Sequence, residues 1–353
     1  MTPEARVRRV VDAAREVARA PGIVATLAAA TGLSPEGVAL ALERHLELQP
    51  SDDEVRALVA SAPAAGEVYV LLSSTVFVGA LRAIAWAWAG APRVAVRPSR
   101  REGAFASALV AAVGDAALRL APELDLARLS PASGAVREVH VYGRAETIAH
   151  LRAIAPRGVR VRGHGPGLGV AVVGAGDALE DAAHALADDV VPFDQRGCLS
   201  PRVAFVEDTA EHAPSDEDPL RATHARAFAG ALAAALADAE RRVPRGAIAE
   251  EERAEAARFG QAMEFSGVLH RGGASMIGVS YNLMIPPPGR HVLVVPFDTS
   301  AALEARARPI APLVTTVGAT PRAPSLALPH ARRAALGAMQ RPPLDGPVDR
   351  RPE

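Results

Sequence analysis

Between Glu67 and Val173 short β-like runs alternate with helix-like segments, and that alternation leaves few folds open. EVYVLL over 67–72 reads as a strand, 78–89 as a helix, 93–96 as a strand and 104–120 as a helix. Strands follow at 138–142, 159–162 and 169–173, with a helix at 145–153 after the first of them. Strands that alternate with helices lie parallel and are joined by crossovers, so the expected fold class is α/β. Beyond a helix at 177–189 the pattern resumes with a strand at 202–207 and helices at 221–242 and 250–261. Strands near Val279 and at 291–295, a helix at 299–307 and a strand at 313–317 complete it. Residues 1 to about 60 read as helices, with Ser34-Pro35-Glu36 as an N-cap and proline at the first helical position. The stretch from Pro321 to Glu353 is rich in proline and arginine and reads as mostly irregular.

Composition narrows the chemistry. A chain of 353 residues, 49% hydrophobic, can build two domains, and with 4% aromatics its cores must be filled by alanine, valine and leucine. The net charge of −1 gives no reason to expect a nucleic-acid partner. The sequence contains no lysine, which excludes Schiff-base chemistry. Its single cysteine, Cys198, excludes an internal disulfide, a CxxC redox pair and a Cys-only zinc site, and no metal is expected. The most apolar stretch, 76–91, contains Arg82 and is too short for a bilayer span. The N-terminus is a charged amphipathic helix without a signal-peptide core, so the expected location is the cytoplasm.

Cys198 lies in PFDQRGCLSPRVAFVE, between a helix-like and a strand-like run. It reads either as a small buried hydrophobe or as a nucleophile. A thiol reacts as thiolate, and a nearby cation such as Arg196 would favour that form. The strand at 93–96 ends in Arg97-Pro98-Ser99-Arg100, which places guanidinium and hydroxyl groups at a carboxyl edge of the sheet, where open α/β sheets bind ligands. VYGRAE over 141–146 is a strand–glycine–helix turn, and a helix N-terminus there suits a phosphate. VVGAGDAL over 172–179 imitates a dinucleotide fingerprint, but Leu179 fills the third glycine position, so it reads as a plain turn. Of ten histidines, His164 stands out because it falls in a glycine-rich loop, GHGPGLG, expected to be mobile.

Taken in order, these motifs resemble the acyl-CoA reductases of the bacterial luminescence fatty-acid reductase type, a branch of the aldehyde dehydrogenase superfamily. The resemblance runs from about Gly66 to Asp349 and is carried most strongly by DQRGCLSP over 194–201 and MQRPPLD over 339–345. It implies an aldehyde dehydrogenase-like fold: an N-terminal helical segment at 1–60, a Rossmann-like cofactor domain at 61–168, a catalytic domain at 169–318 and a C-terminal segment at 319–353. Cys198 matches the family's acyl-accepting nucleophile. Arg97-Pro98-Ser99 looks like the superfamily's cofactor-binding lysine-proline-serine, whose basic residue, here Arg97, touches the adenosine ribose, with Ser99 beside it, and Gly143, Arg144 and Glu146 resemble the turn beside the pyrophosphate. Arg100 stands where the superfamily often has a glutamate, which favours NADP(H) over NAD(H). Thr75 is the nearest match to the oxyanion-hole asparagine. His164 falls at or beside the glutamate base of aldehyde oxidisers. The superfamily's later glutamate-x-phenylalanine-glycine-proline motif has no counterpart around Ile285-Pro286-Pro287-Pro288.

The resemblance implies NADPH-dependent reduction of an acyl-CoA or acyl-carrier thioester, with a fatty acyl chain, to an aldehyde through an acyl-Cys198 intermediate. It also implies a homo-oligomer. Two alternatives remain open: an NADP-linked aldehyde dehydrogenase working in the oxidising direction, and a degenerate homologue that binds a partner or acyl carrier without catalysis.

Overall fold

The computed structural model describes residues 1–73, 76–121, 123, 137–208 and 218–351. The chain divides into two compact units, one formed by Met1–Pro166 with Pro343–Asp349, the other by Gly167–Pro342 with the last residues described.

The first unit begins with helices α1 (Pro3–Ala18), α2 (Ile23–Thr31), α3 (Pro35–Leu40) and α4 (Asp52–Ser61). The strands and helices that follow are β1 (Glu67–Leu71), α5 (Gly79–Gly90), β2 (Val94–Arg97), α6 (Ala104–Val113), β3 (Leu118–Leu120), β4 (Arg137–Tyr142), α7 (Ala145–Ile154) and β5 (Val159–His164). The strands form one sheet in the order β3-β2-β1-β4-β5, all parallel. Val68, Tyr69, Val70 and Leu71 of β1 are all buried, as a strand covered on both faces requires. Helix α5 is buried almost all round, including Trp86 and Trp88, because α1 packs on its outer side. Arg6 of α1 ties the two together through the carbonyls of Trp88 (3.2 Å) and Ala91 (3.1 Å). Arg82 is the one charged residue of α5; its guanidinium bonds Glu47 (3.0 Å) and the carbonyls of Pro343 and Gly346 (2.8 and 2.6 Å).

The helix expected over 104–120 is shorter. Gly114 adopts φ 59°, the left-handed conformation that ends a helix, so α6 stops at Val113 and the next residues supply the edge strand β3.

The second unit holds β6 (Leu168–Val173), α8 (Leu179–Val190), β7 (Pro201–Glu207), α9 (Thr223–Arg242), α10 (Glu250–Ser266), β8 (Val268–Gly272), β9 (Ser275–Val279), β10 (Val292–Phe297), α11 (Ser300–Ala307), β11 (Val314–Ala319) and β12 (Arg332–Ala335). Its sheet runs β12-β11-β6-β7-β10-β9-β8, parallel except for the β8–β9 hairpin. Phe259 and Met263 of α10 and Leu303 and Ala307 of α11 share one apolar core with Val203, Phe205, Leu293 and Val295 of the central strands. The C-terminal segment is mostly irregular, as expected, except that β12 extends this sheet parallel to β11. Its arginine-rich sequence disguises an edge strand, where charged residues are normal.

Candidate active site

The turn between α8 and β7 is backbone-strained. Phe193, Asp194 and Gln195 adopt φ of 56°, 50° and 65°, three consecutive non-glycine residues in the left-handed region. Each costs of order 1 kcal/mol or more, so the surroundings must hold them there. Asp194 Oδ1 accepts from Arg290 Nε and Nη2 at 3.0 and 2.8 Å, and Oδ2 accepts from the Gly246 N–H at 3.0 Å. Its carbonyl accepts from the Gly289 N–H at 3.0 Å. Gln195 Nε2 donates to the carbonyls of Pro201 and His291, both at 2.7 Å, and is wholly buried.

This frame delivers Cys198, which is half-buried. The Ser200 N–H closes a turn onto the Gly197 carbonyl at 3.1 Å. Ser200 Oγ accepts from Gln340 Nε2 at 2.8 Å, and the same Nε2 donates to the Asp189 carbonyl at 2.9 Å. Asp189 in turn accepts from the Gly337 and Met339 N–H groups at 2.6 and 2.9 Å. Burial pushes its carboxyl up to about 7 against those bonds, with the Asp188 charge adding to the rise. Thr315 Oγ1 donates to the carbonyl of Cys198 itself. Gly169 has no room for a side chain: a Cβ there would lie 2.4 Å from the Leu199 carbonyl oxygen and 2.8 Å from Met339 Cε.

Arg196 is bonded at the start of α10. Its guanidinium forms a two-point bond with Glu252, Nε at 3.0 Å and Nη2 at 2.9 Å, and Nη2 also bonds the Ala247 carbonyl. Its role is to hold the start of α10.

In the first unit, strand order reverses between β1 and β4, the kind of switch point at which open α/β sheets bind ligands. Arg97 ends β2 with Ser99 and Arg100 just beyond it, and Gly143, Arg144 and Glu146 follow β4, so the two groups flank β1 at one carboxyl edge. Ser99 Oγ accepts from the Arg101 and Glu102 N–H groups at 3.2 and 3.5 Å, which shapes the loop. Arg100, Arg144 and Glu146 are exposed. A Cβ at Gly143 would meet nothing within 4 Å, so there is room for a ligand beside the backbone, although the Gly143 N–H itself donates to the His164 carbonyl at 3.1 Å. Nothing local in the sequence marks Glu102, which is buried, accepts from the Phe105 N–H at 3.2 Å and so caps the start of α6; burial raises its carboxyl.

His164 corrects an expectation. It ends β5 rather than sitting in a mobile loop, and its ring stacks on Tyr142 at 4.4 Å and meets Trp86 edge-on at 5.7 Å. Beneath it, Glu138 bonds His140 (3.1 Å) and Arg162 (2.7 Å); burial would raise its carboxyl, but these partners bring it down to about 2. Thr75 lies outside the described residues. His164 belongs to the first unit and Cys198 to the second.

The turn at Gly174 to Gly176 is no nucleotide site. A Cβ at Gly174 would lie 2.8 Å from the Arg322 backbone, and the Gly174 and Ala175 N–H groups donate to Thr320 Oγ1 and Glu207, both at 3.0 Å. The amides a pyrophosphate would need are already used.

Comparison with solved structures bears on the fold. Proline utilization A from Bradyrhizobium japonicum superposes with a TM-score of 0.63 at 17% identity over 92% of this chain, which spans only 37% of that longer protein. An NAD-dependent aldehyde dehydrogenase from Sinorhizobium meliloti gives 0.64 at 15% identity, covering 95% of this chain and 74% of the other. An NAD-dependent benzaldehyde dehydrogenase from Corynebacterium glutamicum gives 0.66 at 13% identity, covering 90% and 76%. The fold is that of the aldehyde dehydrogenases. A search of curated proteins found no match. The family model for LuxC acyl-CoA reductases matches residues 33–285, which include the strained turn and Cys198. The chain belongs to the LuxC family of acyl-CoA reductases.

Proposed function

We propose that the chain reduces an acyl thioester, an acyl-CoA or an acyl-carrier thioester with a fatty chain, to the aldehyde through an acyl group held on Cys198. The observation that carries this reading is the half-buried Cys198 at the end of a strained turn, with its own carbonyl held by Thr315 and Ser200 held by Gln340. A strained turn maintained at several hydrogen bonds is what a nucleophile that must point one way requires.

The thiolate of Cys198 attacks the thioester carbonyl and forms a carbon–sulfur bond. The negative charge that develops on the carbonyl oxygen calls for hydrogen-bond donors, a role we assign to the Cys198 N–H and to Thr75. The carbon–sulfur bond to the carrier then breaks, the carrier thiol takes a proton, and Cys198 keeps the acyl group. His164 is the proposed proton carrier, since an imidazole can both accept and donate a proton. A nicotinamide cofactor, when bound, would supply the hydride that takes the acyl carbon to the aldehyde level; the carbon–sulfur bond to Cys198 then breaks, which frees the aldehyde and returns the thiolate. The residues at the carboxyl edge of the first sheet fit such a cofactor: Arg97 and Ser99 toward the ribose, and the room beside Gly143, with Arg144 and Glu146, toward the pyrophosphate. Arg100 is exposed on the same edge and suits a 2′-phosphate, which supports NADP(H). Among the described residues no single helix is long and apolar enough to cross a membrane. We place the reaction in the cytoplasm and the enzyme in a homo-oligomer.

The test is intact-protein mass spectrometry of the chain mixed with a series of acyl-CoAs, without and then with NADPH. The reading requires a mass gain of one acyl group at Cys198, cleared on adding NADPH with aldehyde formed. It requires that Cys198→Ala abolish both. A thiol that reacts with iodoacetamide but takes no acyl group from any thioester would sink it.

A further inference from the structure

The sheet of the second unit is irregular on both sides of β6 at one level. Val314 pairs with Leu168 and Thr316 with Gly169, so Thr315 is an extra residue in β11 with no partner in β6. On the other side Gly169 pairs with Pro201 and Val170 with Val203, which makes Arg202 the extra residue of β7. A bulge redirects a side chain that regular pleating would send elsewhere. Thr315 is 1% exposed, and its hydroxyl lies against the Cys198 carbonyl, with the Leu168 carbonyl farther off at 3.3 Å. A hydroxyl has one proton to donate, and the nearer acceptor belongs to Cys198. The approach depends on Gly167, where a Cβ would sit 2.4 Å from Thr315 Cγ2.

We infer that Thr315 is a positioning residue for Cys198: the bulge in β11 turns its hydroxyl onto the carbonyl of that residue and so sets the direction in which the thiol leaves the backbone. The inference rests on the reading of Cys198 as the nucleophile. Gln340 holds the same turn two residues on, at Ser200 Oγ, and Thr315 acts on the cysteine's own peptide. Attack on a carbonyl depends steeply on the angle and distance of approach, so a loosened peptide slows acylation without weakening substrate binding.

The experiment compares the full-length wild type with Thr315→Val, which keeps the volume and removes the hydroxyl, and Thr315→Ser, which restores it. Two quantities are measured: the single-turnover rate of Cys198 acylation by dodecanoyl-CoA, and amide hydrogen exchange over 197–200. The expected result is acylation slowed about tenfold or more in Thr315→Val at an unchanged half-saturating concentration, with Thr315→Ser within about threefold of wild type. Exchange over 197–200 rises in Thr315→Val alone, while β6 and β7 stay protected. Serine as slow as valine, or exchange over 197–200 unmoved by valine, overturns the inference. A wild type that accepts no acyl group removes the nucleophile reading instead, and the exchange measurement then decides the positioning claim by itself.

Discussion

Gln195 and His291 exchange two hydrogen bonds as though they were paired strand residues: the Gln195 side chain donates to the His291 carbonyl at 2.7 Å and accepts from the His291 N–H at 2.9 Å. A side-chain amide thereby stands in for a backbone peptide at the point where the chain is too strained to supply one. Gln195→Leu strands the His291 N–H and two carbonyls in a site with no solvent. The expected loss is about 3–5 kcal/mol of unfolding free energy, read from urea denaturation, because each buried orphan costs about 1–3 kcal/mol. A loss under about 1 kcal/mol would show that the turn holds its shape without this amide.

Asp194 and Arg290 form an ion pair in which each residue is 1% exposed. Asp194→Ala leaves a buried guanidinium without its counter-charge and is expected to destabilise by about 3–5 kcal/mol. The double variant Asp194→Leu with Arg290→Met should recover part of that loss, because it removes both charges together. A double-mutant cycle by chemical denaturation measures the coupling, and additive losses would refute it.

His291 is 2% exposed, and its Nδ1 accepts from the Met276 N–H at 3.1 Å. Burial, with Arg245 nearby, lowers its pKa to about 4. The unfolded chain therefore takes up this proton first as the pH falls. Stability from neutral His291 is complete above about pH 6.5 and declines through the window down to about pH 4, by roughly 3 kcal/mol in all. Thermal melts across that range should show the decline in wild type, and His291→Gln should flatten part of it. An NMR titration of the ring with a midpoint near 6.5 would contradict the assignment.

Arg100 is exposed, so replacing it should leave stability within about 0.5 kcal/mol of wild type. Arg100→Glu is expected to raise the KM for NADPH about tenfold or more while sparing NADH, since it swaps a phosphate partner for a repelling anion. Steady-state kinetics with both cofactors measure the ratio, and an unchanged ratio means the 2′-phosphate is read elsewhere.

What the sequence shows of this fold follows the range of the interactions involved. Alternating apolar runs mark the central strands β1, β2, β4, β6, β7 and β10, because burial on both faces demands local continuity of hydrophobic residues. DQRGCLSP announces its cysteine. The three-residue β3 and the arginine-bearing β12 carry no such pattern and escape it. His164 was misplaced because glycines around it suggested a loop, whereas its stacking on Tyr142 depends on the pairing of β4 with β5. Thr315 left no trace at all, since a bulge is set by the register of two strands far apart in sequence. Gln340 sits in a stretch that stood out, MQRPPLD, although nothing local tells that it reaches Ser200.

The residues that hold the cysteine's turn come late in the chain: Thr315 lies 117 positions after Cys198, and Gln340 lies 140 after Ser200. Translation is vectorial, so the turn leaves the ribosome long before either of them. Contacts of such span are closed slowly and late in folding. The left-handed run from Phe193 to Gln195 can be held once the chain has reached Arg290 and His291, whereas the Cys198 peptide and Ser200 wait until β11 inserts beside β6 and the 337–340 segment settles on Asp189. A nascent chain stalled before residue 315 would carry its one thiol on a peptide that is not yet held at its own carbonyl, and that anchoring would be one of the closing events of folding.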